Sequence, residues 1–514
     1  MNFKSPILRL LFSLILLAGG GLVQAQKIKQ ADLDALSKAE AVKSLSGEFR
    51  EFLSIPNVAL YEEHIRRNLD WLKPAFERRG FETRELPTSS RTAFWAQRKV
   101  KGAKKTVLFY MHFDGQPVDP SKWHQDDPFV PVLKRMENGK WAEIGWDMVA
   151  DDFDDDWRVF ARAAADDKGP IMMLLNALDI MDARGQKPGF NIKVILDPEE
   201  EMGAKGMPEI VANEKEALMA DEMIIMDGPM HGSNQPTLVF GSRGIGSMEL
   251  TVFGPRLPQH SGHFGNYAPN PALRLSRLLA SMKDDEGRVT IPGFYDGINL
   301  TPEIQAILKA VPDDVGALHK RIGIARPDSV GRYYQESIQY PSLNIRGLKS
   351  AWVGKDVRTI VPDKAIAAID IRLVPETDGK RLVGLVRDHI EKAGYYIIEN
   401  RDPTEEERMT YGKILRFDHD SDAMWKAFST PVNSATGNWL YHVLKDSHQK
   451  EVARIRLLGG SVPIAVFVTG LNIPAVLVTV ANPDNNQHSP NENLRLGHYK
   501  NGIKTVLAIL NSKR

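Results

Sequence analysis

The sequence predicts an α/β fold: a mostly parallel sheet with helices on both faces, and a smaller α+β domain inserted into it. Three observations carry this expectation. Short apolar runs that read as strands alternate with helical runs toward both ends of the chain. The middle instead shows strands that alternate apolar and polar residues, mixed with amphipathic helices. At 514 residues the chain is too long for a single hydrophobic core.

Taken in order, residues 31–79 carry a helical pattern, as in YEEHIRRNLDWLKPAFERRG, which ends at Gly80. TVLFYM (106–111) reads as a strand and PIMMLLNALDIMDARG (170–185) as an amphipathic helix stopped by Gly185. NIKVIL (191–196), DEMIIMD (221–227) and PAVLVTV (474–480) are further strands, and NGIKTVLAILNSKR (501–514) is a closing helix. In such a sheet, ligands bind outside the strand C-termini. The inserted unit, residues 242–410, holds the strand runs 246–254, 342–352 and 364–374 and the helical runs 270–282 and 381–394. The main domain then comprises residues 26–241 and 411–514.

The composition is that of an ordinary globular protein, 42% hydrophobic and 26% charged. Sixty-six basic residues balance 66 acidic ones, which argues against a nucleic-acid partner. Residues 1–25 read as a signal peptide: Lys4 and Arg9, then LLFSLILLAGGGLV, then the small-residue site Val23-Gln24-Ala25. The apolar stretch is shorter than the roughly 20 residues a membrane span prefers, so no stable span is expected after cleavage. The absence of cysteine excludes disulfides and a lipoprotein anchor. A periplasmic or secreted bacterial protein fits these features.

Five side chains suited to metals lie beside or just after strand-like runs: His112, Asp166, Glu201, Asp227 and His488. Two imidazoles and three carboxylates make a ligand set that suits a pair of Zn²⁺ ions, with Co²⁺ or Mn²⁺ as alternatives. In His112-Phe113-Asp114, alternate residues of a strand share a face, so Asp114 can support the imidazole. Alone, this pattern more often marks a structural histidine. Asp166-Asp167 precedes Lys168-Gly169 and a helix; one carboxylate could bridge two cations, or serve as a helix cap. Glu199-Glu200-Glu201 ends the strand NIKVIL, placing one carboxylate to coordinate and the next to face water, or simply marking a helix N-terminus. The acidic run DDFDDDW (151–157) lacks the Gly and terminal Glu of a calcium loop and reads as a solvated loop.

These patches, in this order, resemble the M20 family of dizinc metallopeptidases, which includes carnosinase-like dipeptidases, glutamate carboxypeptidases and related amidohydrolases. The resemblance covers nearly the whole mature chain through HxD (His112 to Asp114), DDKG (Asp166 to Gly169) and EExG (Glu200 to Gly203). It implies that Asp166 bridges two Zn²⁺ ions, with His112 and Asp227 on one and Glu201 and His488 on the other. It makes Glu200 the general base, Asp114 the support of His112, and the Asp166–Asp167 peptide cis. The inserted domain becomes a lid and dimerisation domain. Gln259-His260-Ser261-Gly262 resembles the lid motif whose histidine stabilises the oxyanion, often from a partner subunit.

Arg372, in IVPDKAIAAIDIRLVP, is similar to a lid residue that binds a substrate carboxylate. Gly459, Gly460 and Ser461 resemble a loop that holds the substrate's C-terminus. Two departures stand out: Ala161-Arg162-Ala163 replaces a usual GRG, and Leu457-Leu458 replaces a polar Arg-Glu pair, with Arg456 displaced. The implied activity is hydrolysis of the amide next to a free C-terminal residue in a small peptide, by a homodimer. The alternatives are a deacylase of N-acyl amino acids and a non-catalytic peptide-binding protein on the same fold.

Overall fold

The computed structural model describes residues 28–421 and 424–514. The expected signal peptide lies outside the described residues. None of the described helices is long and apolar enough to cross a membrane.

An eight-stranded sheet organises the main domain, in the order Glu82–Leu86, Ala93–Arg98, Asn191–Asp197, Thr106–His112, Glu222–Ile225, Ala475–Thr479, Thr237–Val239, Ala453–Ile455. Its four central strands, Asn191–Asp197 through Ala475–Thr479, pair in parallel, whereas Ala93–Arg98 and Thr237–Val239 join the flanks antiparallel. The central strands are apolar on both faces because both faces are covered. From Thr106–His112, Val107, Phe109 and Met111 enter a core with the helices Leu33–Leu45, Glu62–Glu77, Lys168–Ala183 and Leu496–Asn511. The alternate residues Leu108 and Tyr110 enter a second core with Met207–Asn213 and Ala465–Leu471. Helices therefore lie on both faces, as predicted.

The inserted domain is a five-stranded sheet ordered Ser342–Lys349, Lys364–Leu373, Gly244–Phe253, Ile414–His419, Tyr396–Ile398. The helices Pro271–Ala280 and Gly379–Lys392 bury Leu275, Leu278, Leu382, Val386 and Ile390 against it. Asn270 and Asp378 cap these helices by accepting backbone N–H groups of their first turns.

Ending the insert at residue 410 is corrected here. Ile414–His419 pairs antiparallel with Gly244–Phe253, so the insert's sheet extends to residue 419. The chain enters and leaves the insert side by side, because Gly241-Ser242 pairs with Phe428-Ser429. A Cβ at Gly241 would lie 2.2 Å from the Phe428 carbonyl oxygen, so only glycine permits this crossing. A four-stranded sheet (Asn493–Arg495, Arg158–Phe160, Val132–Glu137, Lys140–Ile144) was not anticipated. Beside it the acidic run is tied down by cations, with Asp155 2.8 Å from Lys500 and Asp156 3.4 Å from Arg495.

Candidate metal centre

The parallel strands end together, and their C-terminal edges deliver the predicted ligands to one place. His112 is the last residue of its strand, Asp227 follows Glu222–Ile225 by two residues, and Glu201 lies in the turn after Asn191–Asp197. Asp166 precedes the helix Lys168–Ala183, and His488 sits in the loop after Ala475–Thr479.

The five residues form two groups that share Asp166. Donor atoms of His112, Asp166 and Asp227 all lie within 4.8 Å of one another, and so do those of Asp166, Glu201 and His488. His112 Nε2 is 2.8 Å from Asp166 Oδ1, while His488 Nε2 is 3.2 Å from Asp166 Oδ2 and 3.0 Å from Glu201 Oε2. Each Asp166 oxygen thus faces one group, which suits a carboxylate bridging two cations. The Asp166–Asp167 peptide is cis, as the resemblance implied.

Electrostatics also fit a cation pair. Burial, with repulsion from Asp166 next, pushes the Asp227 carboxyl up to about 7. Burial lifts the Glu200 carboxyl well above the usual carboxylate range; His112 draws it back, and Asp227, Glu201 and Asp166 push it further up. Hydrogen bonds to Asp166 and Glu201 raise the His488 imidazole to about 10. The carboxylates outnumber the imidazoles, so divalent cations would relieve their repulsion.

Around the ligands, three carboxylates organise backbone. Asp114 accepts the N–H groups of Glu200 at 3.1 Å and Glu201 at 3.2 Å, fixing the turn that carries both glutamates. Its Oδ1 faces His112 Nδ1 at 3.3 Å, an ion-pair distance without hydrogen-bond alignment. Asp167 Oδ2 accepts the His112 N–H at 3.1 Å. Glu492, fully buried, accepts the N–H groups of Ala163, Ala165 and Asp166 and pairs with Arg162 at 2.7 Å. This clamp holds Ala163 at φ 62°, the left-handed conformation for which a glycine would ordinarily be used.

Sequence reasoning missed Glu492, along with Gln116, whose Nε2 donates to Glu201 Oε2 at 2.8 Å. It also missed Lys168, buried with its Nζ donating to the carbonyls of Phe52 and Ile55.

The other predicted residues fall in two places. Arg372 Nη1 donates to Ser461 Oγ at 2.8 Å, and both line a cavity of about 1030 Å³ together with Gly460 and with Met202 and Gly203 of the turn after Glu201. Gly459 lies nearby, 3.6 Å from the Tyr334 hydroxyl as measured from a Cβ placed on it. Arg456 is committed elsewhere: its guanidinium reaches Gln339 and Glu376, each at 2.5 Å. Leu457 is core, and Leu458 packs against the second core. His260 is exposed, its Nδ1 accepting the Gly262 N–H at 3.1 Å and its backbone paired with Ile360. These contacts all lie within the inserted domain.

Known proteins share this architecture. The chain is 28% identical over 410 residues to the Cys-Gly metallodipeptidase DUG1 of Candida albicans, covering 79% of this chain and 78% of that protein. It is 27% identical over 411 residues to the Beta-Ala-His dipeptidase of Homo sapiens, covering 79% and 74%. Among solved structures, the M20 family metallo-carboxypeptidase Sso-CP2 from Sulfolobus solfataricus matches with a TM-score of 0.71 and 28% identity, over 90% of this chain and 98% of that one. Residues 108–512 match the profile of Peptidase family M20/M25/M40. That span takes in every predicted ligand, and the chain belongs to this family as a metal-dependent hydrolase.

Proposed function

We propose that this protein is an exported dizinc dipeptidase that cleaves the amide next to a free C-terminal residue. The observation that carries the reading is the pair of three-residue donor groups joined at Asp166. The names of the relatives, a Cys-Gly metallodipeptidase and a Beta-Ala-His dipeptidase, support a dipeptide substrate.

His112, Asp166 and Asp227 would hold one Zn²⁺, and Asp166, Glu201 and His488 the other. Bound there, the metals supply Lewis-acid chemistry, polarising the scissile carbonyl and acidifying water. Glu200 takes the proton from the attacking water and delivers it to the leaving amine. Arg372 and Ser461, with the N–H groups of Gly459 and Gly460, hold the substrate's C-terminal carboxylate.

His260 is the oxyanion donor in this reading and reaches the centre from a second copy. Two features support the homodimer: His260 has no contact with the ligands of its own chain among the described residues, and the inserted sheet has an exposed edge. That edge, Ser342–Lys349, carries the exposed Leu348 and lies near the exposed Trp352, Val353 and Val357 in sequence. The N-terminal segment supports export to a bacterial periplasm.

A panel pairing dipeptides with N-acetyl amino acids tests the reading. Faster turnover of the dipeptides supports it, and faster turnover of the acetyl compounds makes the protein a deacylase.

A further inference from the structure

The cavity that holds Arg372 and Ser461 is much larger than a carboxylate requires. At about 1030 Å³ it matches sites that enclose whole organic ligands. Its walls are chiefly apolar: Trp425, Met424, Met202, Ile245, Val462 and Val466.

Trp425 is the firmest of these walls. Its N–H donates to the Ile245 carbonyl at 2.9 Å and its carbonyl accepts the Ile245 N–H at 3.0 Å. Its indole packs over Gly203, where a Cβ would lie 3.1 Å from Cζ2. The ring therefore stands directly beside the turn that carries Glu200 and Glu201, and Gly203 turns there at φ 91°, a conformation that favours glycine. Among the described residues that line this cavity the charged ones are Arg372, Lys205 and Lys426, and none of them is acidic.

We infer that the cavity is a specificity pocket for a large apolar or aromatic side chain on the C-terminal residue of the peptide. The inference rests on the proposed role of Arg372 and Ser461 as the carboxylate anchor. A C-terminal residue so anchored projects its side chain into the same cavity, against Trp425 and the aliphatic walls. Burying a phenyl or isobutyl group there is favourable. A glycine leaves the walls without a partner. A C-terminal lysine brings a third like charge toward Lys205 and Lys426, which disfavours it.

The test uses the metal-loaded full chain and five dipeptides: Ala-Gly, Ala-Leu, Ala-Phe, Ala-Lys and Phe-Gly. The inference expects kcat/KM for Ala-Phe and Ala-Leu to exceed that for Ala-Gly by at least ~10-fold, with Ala-Lys slowest. It expects Trp425→Ala to collapse the Ala-Phe to Ala-Gly ratio, and the exposed Lys426→Glu to raise Ala-Lys relative to Ala-Phe. Calorimetric binding to the Glu200→Gln protein should show the same order without turnover. Equal rates across the panel, or a preference set by the N-terminal residue, would overturn the pocket assignment while leaving the dipeptidase reading intact. Failure to cleave any of the five would sink the dipeptidase reading and the pocket with it.

Discussion

Glu492 accepts the backbone N–H of Asp166 at 3.1 Å, so a carboxylate outside the ligand set fixes the residue that joins the two donor groups. The same carboxylate takes the N–H groups of Ala165 and Ala163 at 3.0 Å each and pairs with Arg162 in the interior. Glu492→Ala leaves a buried guanidinium and three N–H groups without their acceptor. Loss of one partner of a buried pair costs about 3–5 kcal/mol, so calorimetry should show a markedly lower melting temperature. Metal content should fall as well, because Asp166 loses its support.

Asp166→Ala removes the one side chain common to both groups. Metal analysis should show loss of both ions, whereas Asp227→Ala should weaken one. Equal losses in the two variants would contradict the bridging role.

Glu200→Gln keeps the side chain's size and removes its basicity. Turnover should drop at least ~10²-fold, with metal content unchanged, since Glu200 belongs to neither donor group. A variant that keeps wild-type turnover would remove Glu200 from the mechanism.

Acid sensitivity is expected from two histidines that belong to neither donor group. Burial, then repulsion from Lys504 and Lys450, lowers His448 to about 3. Burial, then Arg495, lowers His498 to about 4. Both are neutral in the folded chain near pH 5, while their unfolded counterparts, at about 6.5, bind protons. Their contribution is present above pH 6.5 and is lost as pH falls toward these folded values, by about 2 kcal/mol each at pH 5. Melting curves between pH 7 and 5 should therefore fall, and the fall should be shallower in His448→Gln and His498→Gln.

Of the candidate ligands, His112 and Asp227 were legible because each is delivered by a periodic element. An apolar run ending in His112 or followed by Asp227 marks a sheet edge in the sequence itself. Asp114 was legible for the same reason, though its contacts go further, binding the N–H groups of Glu200 and Glu201. Glu492, Gln116 and Lys168 were not legible, because they act on backbone groups or carboxylates that only the folded chain brings near. Lys168 illustrates this: its partners are the carbonyls of Phe52 and Ile55, more than a hundred residues away in sequence. The end of the insert was missed because Ile414–His419 is a short strand whose sheet membership is set by pairing with Gly244–Phe253. The Leu457-Leu458 departure has a physical meaning after folding: both leucines serve packing, while Arg372 and Ser461 hydrogen-bond to each other.

Metal stoichiometry measured on the same sample as turnover shows whether a two-metal centre drives dipeptide hydrolysis. The expected result is two divalent ions per chain, loss of Ala-Phe hydrolysis on chelation, and recovery in step with Zn²⁺ added back up to two equivalents. Undiminished hydrolysis by protein shown to be metal-free would contradict it.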